Sequence, residues 1–357
     1  MPGHEYSFIK TFWKKLRRNK GAVFGLAVII LALLTAVFAY VLAPDNTPDA
    51  NRIIVEIAAK KPCYQQQFFK FKKENKTDIG NYFSGKEDRY QFVPITTYKV
   101  LNDSIEAAKY IDDGLTEIMK FPLNGRKATD AVETKTFWFG TDKFGRDILS
   151  RLLIGTRVSL GVGFIAVLIS LTVGIFLGSI AGFFRGRTDD IVMWFVNVVW
   201  SIPTLLLVFA ITLALGKGYW QVFIAVGLTL WVNVARLVRG QVLSIRELNY
   251  IEATKAMGFS AARTIIRHIL PNIMGPVMVI AASNFASAIV IEAGLSFLGL
   301  GVQPPQPSWG LMIKENYNFI ITNNPMLAIA PGIAIMLLVL AFNLLGNGLR
   351  DVLDVRN

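Results

Sequence analysis

The chain has 357 residues, 53% hydrophobic and 17% charged, with a mean hydropathy of +0.45. Soluble globular proteins carry about 25% charged residues, so there is too little polar surface to cover this chain in water. Soluble, disordered and disulfide-scaffold classes are excluded together.

A net charge of +12 would point to nucleic acid in a soluble protein, but here its distribution reads as orientation in a membrane. Cys63 is the single cysteine and permits no internal disulfide; with His4 and His268 as the only histidines, no metal-ligand spacing or haem site emerges.

The N-terminal tail carries Lys10, Lys14, Lys15, Arg17, Arg18 and Lys20 among Phe8, Phe12 and Trp13. This suits an amphipathic helix on the inner surface, or equally a positive-inside signal alone. No charge then occurs until Asp45. A bilayer core about 30 Å thick takes roughly 20 apolar helical residues, which predicts a first span at about 21–43. The run exceeds the roughly 7–15 residues of a signal-peptide core, so it is read as an uncleaved span.

Residues 44–150 hold 17 Lys/Arg and 16 Asp/Glu, a polar and nearly neutral segment. It is read as an extracytoplasmic insert. Within 50–135, strand-like pieces (Tyr90 to Val100) mix with a helix-like stretch (Ser104 to Lys120), enough for a small folded subdomain. Gly80 to Glu87 reads GNYFSGKE, close to a phosphate loop, but Glu87 stands where the magnesium-binding hydroxyl is required. The match is a coincidence, and no other stretch offers a nucleotide loop. If ATP energises this protein, another polypeptide hydrolyses it.

Further spans are expected at about 157–183, 191–215, 219–238, 273–297 and 326–347. Gly174, Gly178 and Gly182 repeat at four-residue spacing, a small-residue stripe that lets helix backbones approach closely in lipid. Pro203, Pro276 and Pro331 fall within spans, marking bends around a central cavity or incidental kinks. Glu292 is the sole acid in its apolar run, placed near the outer end where its carboxylate reaches water. Ser283, Asn284 and Ser287 line a pore or bond to adjacent helices. Pro304, Pro305 and Pro307 exclude a regular helix, so 293–313 is read as the end of the fifth span followed by an exposed loop.

Positive charge in short loops sets orientation. The basic tail, Arg185 and Arg187, the cluster Arg236, Arg239, Arg246, Lys255, Arg263 and Arg267, and finally Arg350 and Arg356 fall on one side. Lys217 and Lys314 face them. The reading is an all-α membrane protein of about six transmembrane helices with both termini cytoplasmic. Its expected parts are a basic segment at 1–20, the first span at 21–43, the insert at 44–150, a transmembrane core at 151–348 and a tail at 349–357.

Within that core, the connection at 241–272 is the most informative. From Asn249 to Pro271 it reads NYIEATKAMGFSAARTIIRHILP. Helical spacing puts Ile251, Ala253, Ala256 and Met257 along one compact surface. Gly258 then allows a sharp change of direction, and Ala261, Ile265 and Ile269 form an amphipathic pattern that Pro271 closes before the fifth span. Two short helices with a glycine hinge suit a docking element for a cytosolic partner. A basic segment held against anionic headgroups explains the charges but not the glycine spacing.

This segment resembles the signature loop of permease subunits from bacterial ABC importers: Glu-Ala-Ala, three residues, Gly, nine residues, Ile, one residue, Leu-Pro. Glu252, Ala253, Gly258, Leu270 and Pro271 match; Thr254 replaces the third alanine and His268 the isoleucine. Four further segments resemble the second (C-type) permease of dipeptide, oligopeptide and nickel importers. They are RRNKGAVFGL at 17–26, FGTDKFGRDILSRLLIGTRVSL at 139–160, EAGLSFLGLGVQPPQPSWG at 292–310 and AFNLLGNGLRDVLD at 341–354. The likeness covers the first span and nearly everything after residue 137; residues 50–135 are much longer than their usual counterpart.

The resemblance implies the type I importer permease fold in a bacterial inner membrane. It implies pairing with a second homologous permease, usually as a heterodimer, above two cytosolic ABC ATPases that bind ATP and Mg2+. An extracytoplasmic solute-binding protein delivers the substrate, and a coupling helix within about 250–262 inserts into a groove on the ATPase. This chain is expected to bind no cofactor, metal or nucleic acid and to have no catalytic residues. Peptides are the expected substrate, with nickel or another small solute as the alternative; the sequence names no substrate-binding residue. A secondary transporter would need intramembrane charges or broken helices around an ion site, which Glu292 alone supports thinly, and no catalytic set supports a membrane enzyme.

Overall fold

The computed structural model describes residues 13–73, 80–81, 84–101, 104–123, 126–216, 218–321 and 324–353. The basic, aromatic approach at 8–12, Lys217 and Arg356 fall outside them. The chain divides into two compact units, one of Met1–Leu33, Ser159–Gln303 and Ala334–Asn357, the other of Leu34–Val158 and Pro304–Ile333.

The apolar runs become helices: α1 (Lys20–Val37), α2 (Ile148–Phe184), α3 (Gly186–Trp200), α4 (Thr204–Leu215), α5 (Tyr219–Arg246), α6 (Asn249–Ala256), α7 (Ala261–Phe297), α8 (Trp309–Asn316) and α9 (Met326–Leu353). Among the described residues, α1, α2, α5, α7 and α9 are each long and apolar enough to cross a bilayer. The expected third span is not one helix. α3 and α4 meet at a bend of 92° and together make the sixth candidate crossing. Pro203 has no N–H to continue the ladder, and its ring disfavours helical backbone at Ile202, so the chain breaks there.

In the first unit α2 and α5 pack through the glycine stripe. A Cβ on Gly174 would lie 2.5 Å from Val234 Cβ, one on Gly178 2.5 Å from Ala235 O, and one on Gly182 2.8 Å from Val242 Cβ. Such separations leave no room for a side chain, so dispersion between near-touching backbones replaces the hydrophobic drive that lipid removes. Asn284 is buried and donates from Nδ2 to Ser170 Oγ (3.3 Å) and Leu230 O (3.4 Å), which makes it a tie between helices. Glu292 does not reach water. It is fully buried and accepts from Ser296 Oγ at 2.6 Å, while Val302 N donates to that same Ser296 Oγ at 3.2 Å.

The second unit holds a five-stranded antiparallel sheet ordered β6-β5-β4-β1-β7. Its strands are β1 (Tyr64–Lys72), β4 (Tyr90–Leu101), β5 (Ser104–Asp112), β6 (Leu115–Pro122) and β7 (Val132–Phe137), and the short β2 (Gly80–Asn81) and β3 (Gly85–Lys86) pair separately. The stretch expected to be helical, Ser104 to Lys120, is a β5–β6 hairpin turning at Asp113-Gly114. Its Glu, Ala, Lys and Met content favours helix, but pairing with β4 and burial of Ile105 and Ala107 at alternate positions override that preference. Phe69, Ile95, Ile105 and Phe121 form one small core of this unit, and Ile54, Ile57, Phe68 and Phe137 another.

The segment after the fifth span is not the exposed loop expected. Ser308, Trp309, Leu311 and Met312 are buried. Ser308 Oγ caps α8 by accepting from Leu311 N at 3.1 Å, and Trp309 Nε1 donates to Leu152 O at 3.1 Å. Nearby, Arg146 donates from Nε to Asp142 Oδ2 (2.6 Å) and from Nη2 to Glu315 Oε2 (2.8 Å). Arg151, 1% exposed, reaches the same Glu315 oxygen at 3.4 Å.

Candidate functional site

The connection between α5 and α7 folds as an elbow within the first unit. Its first arm, α6, is an eight-residue helix with one buried edge. Ile251 is fully buried and joins Val238, Val242, Ile269, Ile273 and Val277 in one apolar cluster. Burying an isoleucine side chain contributes about 1.5–3 kcal/mol, so this side chain ties the arm to the spans. The opposite edge carries Glu252, Ala253, Lys255 and Ala256, all exposed, and Met257, 63% exposed. The sequence reading placed Ile251, Ala253, Ala256 and Met257 on one surface. Instead Ile251 turns inward and the other three face outward, because a helix advancing 100° per residue separates positions 251 and 253 by more than half a turn.

The helix stops by a Schellman motif. Phe259 N donates to Thr254 O at 3.1 Å and Gly258 N to Lys255 O at 2.9 Å, which satisfies two terminal carbonyls and needs a left-handed residue between them. Gly258 supplies it at φ +75°, with no atom within 4 Å of where a Cβ would sit. Ser260 then caps the next arm, its Oγ accepting from Arg263 N at 3.4 Å.

Of the two residues that depart from the loop pattern, Thr254 links the two arms and His268 links the second arm to the turn. Thr254 is buried, donates from Oγ1 to Ile251 O at 2.7 Å and stands 3.4 Å from Thr264 Oγ1 on the second arm. The ring of His268 stacks on Phe259 with centroids 5.8 Å apart, and the Arg263 guanidinium lies 4.1 Å from the centroid of the same Phe259 ring. The turn residue Phe259 is thus held by two side chains from the second arm.

Pro271 does not close that arm before the fifth span. The backbone runs on from Ala261 to Phe297 as α7, with one wide turn at Ile265–Ile269 in which Leu270 N donates to Ile265 O. A proline inside a helix removes one hydrogen bond and clashes with the carbonyl four residues back; a π-turn just before it relieves both. Leu270 packs against the apolar cluster and Pro271 is exposed. The second arm is therefore a direct extension of a span. Sequence reasoning missed Thr264 and Ser260; a serine directly before the amphipathic run was the signal for the cap, whereas nothing local marks Thr264.

The elbow thus has an exposed face on its first arm and anchored faces on both arms. It presents no catalytic constellation, and among the described residues no group of His, Cys, Asp or Glu could hold a metal ion.

Two family models match the chain. Residues 174–357 match the binding-protein-dependent transport system inner membrane component, and residues 7–62 match the N-terminal TM domain of oligopeptide transport permease C. The chain is 40% identical over 225 residues to the oligopeptide transport system permease protein OppC of Bacillus subtilis, covering 63% of this chain and 73% of that one. It is 43% identical over 217 residues to the glutathione transport system permease protein GsiD of Pectobacterium atrosepticum (61% and 72% covered). It is 44% identical over 217 residues to the dipeptide transport system permease protein DppC of Alkalihalophilus pseudofirmus (61% and 71%).

Proposed function

The chain belongs to the family of binding-protein-dependent transport system inner membrane components, and we propose that it is the C-type permease of an ATP-driven importer of di- and oligopeptides. With a paired permease it forms the translocation path, receives peptide from an extracytoplasmic binding protein and is moved by two cytosolic ATPases that bind ATP and Mg2+. Peptide is favoured over nickel because the relatives above are named for oligopeptide, dipeptide and glutathione, all short peptides. Both termini and the elbow lie in the cytoplasm of a bacterial inner membrane, following the positive charge of the short loops.

The observation that carries the proposal is the elbow's two-sidedness. ATP can shift the spans between two states only through a contact that differs between those states. An arm with Ile251 buried among the spans and Glu252, Ala253, Ala256 and Met257 facing outward meets that need. The outward face seats in the ATPase groove, and the second arm transmits the movement because it is continuous with α7. Glu252 is the single acid on α6, so Glu252→Lys reverses charge at the seat. In vesicles holding the permease pair, the ATPases and the binding protein, it is expected to cut peptide uptake per ATP hydrolysed at least several-fold, with insertion intact. Unchanged uptake and unchanged ATPase assembly would refute the docking role, and labelling that places Met257 outside the cell would overturn the topology.

A further inference from the structure

The second unit contains a half-open cavity of about 190 Å³ whose wall includes Pro44, Asp45, Arg52, Ile54, Lys135, Phe137 and Asp147. Most of its charges are already spent. The Arg52 guanidinium donates to both carboxylate oxygens of Asp88 and pairs with Asp45 at 3.4 Å. Asp45 in turn accepts from Thr47 N and Arg52 N. Two groups on the wall are not fully spent. Asp147 is 5% exposed; its Oδ2 caps the start of α2 by accepting from Ser150 N and Oγ, while its Oδ1 has no hydrogen-bond partner. Lys135 has, among the described residues, one ion pair, stretched to 4.0 Å from Glu133, and its ammonium otherwise faces the Phe92 ring 3.9 Å from the centroid.

These two groups have opposite charge, share the cavity and are not paired with each other. Each is also electrostatically uncomfortable. Burial raises the Asp147 carboxyl above its ordinary range, and burial together with the neighbouring Arg52 lowers the Lys135 ammonium. Asp147 Oδ1 is a buried acceptor without a partner, which costs stability, and Lys135, half-buried, holds only a stretched pair, so one guest of the right design would engage both at once. It needs an ammonium for Asp147 Oδ1 and a carboxylate for Lys135 Nζ, on a skeleton small enough for the space. At about 30 Å³ per water, 190 Å³ corresponds to roughly six water-sized groups, the size of a small amino acid. Ile54, Phe137 and Pro44 supply apolar wall between the charged positions.

We propose that this cavity is a binding site for a small zwitterion of the α-amino acid class, held by Asp147 at its ammonium and by Lys135 at its carboxylate. The site lies wholly within the sheet-bearing unit and does not depend on what the spans carry.

The test is calorimetric titration of the full chain in nanodiscs with three probes: L-alanine, N-acetyl-L-alanine and L-alaninamide. Saturable binding of L-alanine is expected, with binding of either capped analogue weaker by roughly tenfold or more, since each loses one charge-assisted contact. Asp147→Asn keeps an oxygen to cap α2 and Lys135→Met keeps the stem over Phe92, so both variants are expected to fold, which their melting temperatures check, and each to weaken L-alanine roughly tenfold. Absence of saturable L-alanine binding overturns the proposal. So does equal binding of all three probes, or full retention of affinity in both variants.

Discussion

Replacing Gly258 by valine isolates the elbow's turn from everything around it. The residue sits at φ +75°, and a Cβ placed there would meet no atom within 4 Å. Any effect of a side chain therefore comes from the backbone conformation and not from a collision. Left-handed backbone costs a residue with a Cβ about 1–2 kcal/mol, and β-branching adds to that by crowding the main chain. Escaping the strain means leaving the Schellman geometry and freeing Thr254 O and Lys255 O, whose hydrogen bonds are worth about 1 kcal/mol each. A penalty of 1–2 kcal/mol lowers the population of the native turn roughly 5–30-fold relative to alternatives.

The strain is confined to the turn between the arms, outside the hydrogen-bonded ladders of the spans, so insertion and the amount of folded protein should not change. What should change is the ratio of peptide imported to ATP hydrolysed, measured on the same proteoliposomes. The expected order of impairment is Gly258→Asn, then Gly258→Ala, then Gly258→Val, since asparagine tolerates the left-handed region better than other residues with a Cβ. Normal ATPase assembly and normal transport by the valine variant would refute the reasoning. Equal loss in all three variants would show that something other than backbone strain is at work.

Three further outcomes follow from packing and charge. Gly178→Val forces a side chain against Ala235 O, where even a Cβ would stand 2.5 Å away, and should destabilise the protein by about 1–3 kcal/mol; Gly240→Ala, with no atom within 4 Å, is the silent control, and thermal unfolding in detergent separates them. Ile251→Ala removes the fully buried anchor of the first arm and should cost about 2–5 kcal/mol, read as increased amide exchange of residues 249–257; unchanged exchange would show that the arm is held from elsewhere. Glu315→Ala strips the shared acceptor from Arg146 and the buried Arg151 and should cost about 3–5 kcal/mol, seen as a lowered melting temperature that Glu315→Asp only partly restores.

The elbow was legible because its signals are local. A glycine at a helix end and apolar residues at helical spacing specify geometry through the chemistry of a few neighbouring residues. The long spans were legible for the same reason, since hydropathy over 20 residues needs no partner. Much of what was misread depended on how the chain packs and not on the local pattern. Residues 104–120 contain good helix formers and become a hairpin because β4 is there to pair with. Trp309 looked like part of an exposed, proline-rich loop, yet Gly155 and Leu152 offer it a bare surface and an acceptor. Glu292 near the end of an apolar run suggested access to water; Ser296, four residues on, and the chain turning back at Val302 enclose it.

Thr254 and His268 reverse the weight that a pattern alone would assign them. Against the family's loop they are departures, an alanine and an isoleucine lost. In the folded elbow Thr254 gives the two arms, and His268 the turn and the second arm, a contact that the usual residue lacks. An alanine at 254 has no hydroxyl to hold Ile251 O or to approach Thr264, and an isoleucine at 268 has no ring to stack on Phe259. A lever transmits displacement only to the extent that its joint does not yield, and each cross-link between the arms removes one way for the joint to yield. Substitutions that weaken resemblance to the motif therefore stiffen the structure that the motif specifies, with the glycine turn left to set the angle.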